Sequence, residues 1–327
     1  NGAVYGLMAL ALVLVFSVTR VIFIPQGEFV AFGALSMAAL QGGRAPSTLW
    51  LLLALAAIVL VVEAWRWKRG ATVDWRSALT WCVAFPAVAA VLILGFKPTS
   101  LAMQSLATLV LIAPLGPLLY RVAYRPLADA SVLMLLIVSV ALHGVLVGLG
   151  LFFFGAEGSR TSAFSEARFD LGGIPVNGQS LVVVGVTLVL VIAMFWFFGR
   201  SMIGKALRAT AINRVGARLS GIPTELSGDL SFALAAVIGA ISGLLIAPIT
   251  TVYYDTGFLI GLKGFVAAIV GGLASYPLAL AGALLVGLLE AFSSFWASAY
   301  KEVLVFTLII PVLLWRSLNS HHVEDEE

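Results

Sequence analysis

Charge is scarce in this chain: Asp, Glu, Lys and Arg make up 11% of its 327 residues, against about a quarter in a soluble domain. So few charges cannot cover a water-exposed surface. The net charge is only +3, and Lys and Arg gather in short stretches instead of forming a basic face, which excludes nucleic-acid binding. Cysteine is reduced to Cys82, inside the apolar run 78–94. A lone thiol allows neither an intrachain disulfide nor a ligand cluster, and Cys82 reads as a small buried apolar residue. Metalloprotease, nucleophile-elbow and paired metal-ligand spacings are all missing, so nothing supports a catalytic site. The segment Gly199-Arg200-Ser201-Met202-Ile203-Gly204-Lys205-Ala206 approaches a phosphate-binding loop. Ala206, however, removes the hydroxyl that would hold magnesium, and the run before it is a spanning helix where the motif needs a strand. Any ATP chemistry therefore belongs to another polypeptide.

What is abundant is apolar residue, at 61% with a mean hydropathy of +1.08. A spanning helix needs roughly 20 apolar residues, leaving room for about eight to ten. The expected fold is all-α, one polytopic transmembrane domain over 1–327. Window hydropathy places spans near 3–19, 48–65, 78–95, 101–120, 131–154, 181–198, 229–251, 277–297 and 301–315. The first has no basic stretch before it and no small-residue cleavage site, so it reads as a retained span. Two segments are too short to cross alone: 27–40, after a Pro25-Gln26-Gly27-Glu28 break, and 264–274, which runs into Gly271-Gly272-Leu273-Ala274-Ser275-Tyr276-Pro277. These are expected to be half-helices.

Basic residues cluster at Arg66, Lys68, Arg69 and Arg76, at Arg121 and Arg125, at Arg200, Lys205, Arg208, Arg214 and Arg218, and at Arg316. The positive-inside rule assigns these clusters to the cytoplasm. The loop 155–180 has no basic excess and falls outside, as does the N-terminus, while the acidic tail 324–327 is cytoplasmic. Trp65, Trp67, Trp75 and Trp81 flank the first cytoplasmic hairpin as headgroup anchors. Small-xxx-small pairs such as Gly144 with Gly148 and Gly257 with Gly261 allow close helix approach.

The longest cytoplasmic loop, 200–228, suits a short helix on the membrane surface. The positive-inside rule alone would account for its charge, but its pattern is more particular: Gly204-Lys205-Ala206-Leu207-Arg208-Ala209-Thr210-Ala211, then Ala217-Arg218-Leu219-Ser220-Gly221-Ile222. This resembles the coupling loop of permease subunits from ABC importers of the branched-chain amino acid type, a basic "RA-RA-A" stretch followed by "A-L-GI". Ile22-Phe23-Ile24-Pro25-Gln26-Gly27-Glu28-Phe29 is similar to that family's "INFAHGEF" element, with Pro25 and Gln26 replacing Ala and His. Tyr124-Arg125-Pro126-Leu127 matches its "YRPL" turn, and Gly271 to Pro277 followed by Gly282, Gly287 and Glu290 is similar to its "GGLGSIPGA…GG…G…E" run. Ala274, Leu278 and Ala283 replace glycines of that run. The segment 41–99, with two spans around Trp50 and Phe85, is longer than usual for the family.

The resemblance implies a bacterial inner-membrane permease that works with a second permease subunit in a heterodimer or homodimer, two cytoplasmic ATP-binding subunits and an external solute-binding protein. It implies no cofactor in this chain, ATP and magnesium residing on the partners. ATPase coupling is expected of Lys205, Arg208, Arg214, Gly216, Arg218 and Gly221. The pathway or gate is expected around Gln26, Gly27, Glu28, His143, Gly271, Gly272, Ser275 and Glu290, since irregular backbone at membrane depth needs protein or a wet cavity beside it. Ionisable groups in hydrocarbon are costly, hence functional or paired. Glu28 reads either as a carboxylate favoured by a helix N-terminus or as a gating or pairing group. His143 reads as bonded to a neighbouring helix or as a substrate contact, and Glu290 as facing the subunit interface or the path. Arg20 snorkels. Lys263 is expected near the outer surface. The alternative class, an ion-gradient transporter, would need a buried coupling-ion cluster, for which only Glu28, His143 and Glu290 are available, scattered along the chain.

Overall fold

The computed structural model describes residues 1–172 and 174–319, so the acidic tail 324–327 lies outside the described residues. Among the described residues, eight helices are long and apolar enough to cross a membrane. In chain order the helices are α1 (Gly2–Thr19), α2 (Gln26–Gln41), α3 (Thr48–Lys68), α4 (Trp75–Gly95), α5 (Leu101–Leu127) and α6 (Val132–Phe154). There follow α7 (Gly178–Arg200), α8 (Met202–Ile212), α9 (Arg214–Leu219), α10 (Thr224–Ile246), α11 (Thr256–Val270), α12 (Tyr276–Trp296), α13 (Lys301–Thr307) and α14 (Ile309–Asn319). The only sheet among the described residues is a hairpin in the 155–177 loop, β1 (Arg168–Leu171) pairing antiparallel with β2 (Ile174–Asn177).

The centre of the bundle is built from α1, α2, α10, α11 and α12, which make the densest mutual contacts. For α1 and α10, 78% of the apolar window is buried, against 17% for α6 and α7. A helix that is apolar all round is buried in the core or faces lipid, and both outcomes occur here. Basic clusters 66–76, 121–125 and 200–218 meet at one end of the bundle, because Glu63 bonds Arg125, Ser77 bonds Arg121 and Arg214 bonds the Ala128 carbonyl. The opposite end carries the hairpin loop, fixed to α2 by Ser162 N–H donating to Gln41 (2.9 Å) and to the stretch between α10 and α11 by a bridge between Ser159 and Val252.

Local irregularities follow prolines, which cannot donate to the helical ladder. On either side of Pro86 the ladder of α4 widens into π turns over Thr80–Ala84 and Val91–Gly95, and a third π turn, Tyr120–Tyr124, follows Pro117 in α5. The expected span 301–315 is divided into α13 and α14: Pro311 has no N–H for the Thr307 carbonyl, and the helix breaks at Leu308.

The first expected half-helix is present as α2, 16 residues beginning at Gln26. The second is corrected in position. It is α11, 15 residues beginning at Thr256, and its break is the non-helical stretch 247–255 before it. The Gly271–Ser275 segment is instead a tight turn into α12, with Gly272 and Leu273 in the left-handed region at φ 67° and 57°. The hydropathy reading placed this break late because apolar residues continue through 247–252.

Candidate functional site

The two broken segments meet inside the bundle. Gly27, in the first turn of α2, packs on Gly257, in the first turn of α11, so closely that a Cβ on either would overlap the other's carbonyl. Glycine is required here for backbone approach. Both helices point the positive ends of their dipoles into this junction, where a carboxylate in the first turn is favourable. Glu28 supplies it, 1% exposed, and accepts through Oε1 from His143 Nδ1 at 2.7 Å. His143 lies near the middle of α6 and stacks on Phe258 of α11, with ring centroids 4.4 Å apart. Gln26 donates from Nε2 to the Ala235 carbonyl of α10 at 2.9 Å. Gln26 Oε1 and Glu28 Oε2 are buried with no protein donor. Gln26, Gly27, Glu28 and His143 thus form one constellation, although Glu28 and His143 are remote in the chain.

The remaining expected pathway residues lie elsewhere. Glu290 accepts from Tyr5 Oη (2.6 Å), Asn1 Nδ2 (3.1 Å) and Lys263 Nζ (2.5 Å), and Lys263 also reaches Glu302 at 3.0 Å. Lys263 is therefore not at the outer surface: it is 5% exposed and serves to lock α11 to α1, α12 and α13. Glu290 belongs to that internal lock. Gly271 packs against the backbone of Ala279, and Ser275 caps α12 by accepting from Leu278 N–H at 3.5 Å. This turn sits at the far end of α11 from Gly257.

At the basic end, the loop after α7 folds into two short helices. Ser201 starts α8 by accepting from Gly204 N–H at 2.9 Å, and Asn213 starts α9 by accepting from Gly216 N–H at 2.8 Å, as N-cap residues do. Gly221, at φ 80°, closes the turn toward α10. One face is anchored: Leu207 and Ala217 are buried, Thr210 Oγ1 bonds Ser227 of α10 at 3.1 Å, and Arg214 donates to the Ala128 carbonyl at 3.1 Å. The other face is free, with Lys205, Arg208 and Arg218 exposed beside Met202, Ile212, Val215 and Leu219, which are 70–84% exposed. Of the expected coupling residues, Arg214 is thus turned inward as a tie, whereas Lys205, Arg208 and Arg218 form the outward surface.

Directly behind these helices is an ion cluster that sequence reasoning did not identify. Arg121 contacts Asp229 through Nε (3.1 and 3.2 Å) and Nη2 (2.5 Å), and its Nη2 also reaches Ser77 at 2.6 Å. Arg125 bonds Glu63 of α3 at 2.6 Å and Glu225 of α10. Arg66 adds a 3.3 Å contact to Glu63. The π turn Tyr120–Tyr124 contains Arg121, and such turns often mark functional positions. Glu63 and Asp229, 2% and 3% exposed, were legible as carboxylates in apolar runs, but their neighbours in sequence carried no motif.

Above that cluster Phe23, Tyr124, Phe232 and Tyr120 pack ring on ring, with centroids between 4.9 and 5.9 Å. Phe23 belongs to the break that leads into α2. A continuous set of side chains therefore runs from α8 and α9 to the junction at Gly27.

Comparison with known proteins finds relatives of the chain. The chain is 29% identical over 243 residues, covering 72% of it and 79% of the relative, to the high-affinity branched-chain amino acid transport system permease protein BraD of Pseudomonas aeruginosa. It is 32% identical over 244 residues to the LivH permease of Escherichia coli, covering 71% and 78%, and 28% identical over 222 residues to a probable LivH of Methanocaldococcus jannaschii, covering 64% and 69%. No solved structure matches. Residues 78–313 match the family described as the permease component of branched-chain amino acid transport systems, and the chain, a polytopic membrane protein, belongs to it.

Proposed function

We propose that this chain is one of two permease subunits of a binding-protein-dependent importer, lining a pathway for branched-chain or other small apolar amino acids. Two ATP-binding subunits, which hold ATP and magnesium, dock on α8 and α9. A solute-binding protein delivers substrate at the hairpin end, which faces outward, so that the N-terminus is external and the C-terminus cytoplasmic in a bacterial inner membrane. The observation that carries this reading is the free face of α8 and α9. Four large apolar side chains ringed by Lys205, Arg208 and Arg218 stand clear of the bundle, on helices whose other face is bonded to α5 and α10. An exposed apolar patch with a charged rim marks a protein contact, and Thr210 and Arg214 give that contact a rigid base.

Replacing Arg208 and Arg218 together by Glu reverses the rim charge and keeps the ties through Thr210 and Arg214, removing only the 3.4 Å bond from Arg218 to Thr224. In the reconstituted complex this substitution is expected to reduce substrate-stimulated ATP hydrolysis by about tenfold or more, since like charges facing each other at an interface cost several kcal/mol, while membrane insertion is unchanged. Undiminished hydrolysis would remove the docking assignment. Solute uptake by the purified chain alone, driven by protons or sodium, would overturn the whole reading.

A further inference from the structure

At the hairpin end of the bundle a cavity of about 440 Å³ opens between the last turn of α2, the end of α4 and the start of α5. Its walls include Gly43, Arg44 and Ala45 on one side and Ile93 to Thr99 on the other, the two ends of the long segment 41–99. The two spans α3 and α4 therefore begin and finish at this cavity. Without that segment these walls would not exist.

The lining is one-sided in charge. Arg44 and Lys97 both face the cavity, no carboxylate lines it, and among the described residues neither cation makes a side-chain hydrogen bond or ion pair. Gln41 contributes a further donor: its Oε1 accepts from Ser162 N–H at 2.9 Å, while its Nε2 is buried without a partner. Gln104, 7% exposed, donates to the Pro98 carbonyl at 3.2 Å and so fixes the wall that carries Lys97. Lys97 itself is held at φ 46°, a left-handed conformation that non-glycine residues adopt rarely. The exposed cations Arg44 and Lys97 and the buried, unpartnered Gln41 Nε2 thus line one space whose other wall is apolar, formed by Leu40, Ile93 and Leu94.

This end of the bundle is where the bias of basic residues toward the other side leaves few cations, so two of them on one cavity without a carboxylate make it electrostatically suited to an anion. The position at the ends of spanning helices, with Leu94 and Phe96 exposed beside it, is that of the lipid headgroup layer. Basic pockets between transmembrane helices bind lipid phosphates elsewhere. We infer that the cavity binds the phosphate of an anionic phospholipid between Arg44 and Lys97, with Gln41 Nε2 as a third donor and the first acyl carbons against Ile93 and Leu94. A free phosphate shares the headgroup chemistry but not the apolar wall.

The test uses the purified full chain in nanodiscs containing a photoactivatable phosphatidylglycerol, with labelled peptides located by mass spectrometry. Label is expected in peptides spanning 40–45 and 93–104, displaced by unlabelled phosphatidylglycerol but not by equal amounts of phosphatidylcholine or inorganic phosphate. The R44Q/K97Q variant is expected to lose this label about tenfold or more while keeping label near Arg66 to Arg76, which reports that the bundle is intact. Undiminished label at 93–104 in the variant, or displacement by phosphatidylcholine, overturns the proposal. Displacement by inorganic phosphate at equal concentration would assign a free anion and overturn the lipid. Should R44Q/K97Q lose the label near Arg66 as well, the single variants R44Q and K97Q decide: retention of full 93–104 label in both refutes the site.

Discussion

Replacing Asp229 by Asn changes one atom in the side chain and removes one charge from a cluster in which Arg66, Arg121 and Arg125 face Glu63, Glu225 and Asp229. Arg121 would be left with its side chain 4% exposed and Glu63 at 3.9 Å as its nearest carboxylate. Two unit charges at about 4 Å interact by roughly 4 kcal/mol at the effective dielectric that suits protein sites. Breaking a buried pair by removing one partner costs about 3–5 kcal/mol. The amide of Asn still accepts one hydrogen bond, so the lower end, about 3 kcal/mol, is expected. Glu225→Gln is the control. Its side chain is 53% exposed, and an exposed pair contributes about 0–1 kcal/mol. Unfolding in a mild detergent, followed by intrinsic fluorescence, should separate the two variants by at least 2 kcal/mol. Arg121→Met combined with Asp229→Asn should recover more than half of the loss, because the stranded charge disappears along with its partner. If Asp229→Asn were no more costly than Glu225→Gln, or the double variant were no better than the single, the cluster would not be a desolvated ion network.

Gly27→Ala should prevent the approach of α2 to α11 and cost at least 1–3 kcal/mol, whereas Gly144→Ala, with open space around it, should lie within about 0.5 kcal/mol of wild type; yield of folded protein in detergent reads both. Lys263→Met leaves Glu290, 5% exposed, with only neutral donors, and a loss of about 3 kcal/mol is expected, partly reversed by adding Glu290→Gln; equal stability of the single and double variants would refute the lock.

Much of this architecture is written in composition and hydropathy, because a bilayer admits few solutions for an apolar chain. The spans, the clustering of basic residues at one end and the half-helix after Pro25 all follow from that constraint. The break before α11 escaped because Ala247, Pro248, Ile249 and Val252 keep the stretch after α10 weakly polar, and hydropathy does not register loss of backbone pairing. The ion cluster escaped for another reason. Glu63, Ser77, Arg121 and Asp229 lie on four different helices, so only the packing of α3 and α4 against α5 and α10 brings them together. Glu28 and His143 were each conspicuous alone, as ionisable groups in hydrocarbon, but their pairing depends on the angle at which α2 re-enters the bundle. Arg214 carried the same positive-inside signal as Arg208. Only the fold shows that one bonds the bundle and the other faces away.

That distinction bears on how a push at α8 and α9 could reach the junction of α2 and α11. The surface helices are bonded to α10 through Thr210 and Ser227 and to the end of α5 through Arg214. The bases of α5 and α10 are in turn joined by Arg121 and Asp229. Neither helix can then shift alone without separating a buried ion pair, so the two move together. The ring packing of Tyr120, Tyr124 and Phe232 would pass that displacement to Phe23, which lies within the break before α2. There the backbone lacks helical bonds, and the first structure beyond it is the glycine contact between α2 and α11. A contact made backbone to backbone, with no side chain to yield, transmits small displacements stiffly. Glu28 and Gln26, each with an unpartnered buried oxygen, sit where such a displacement would open space for water or solute.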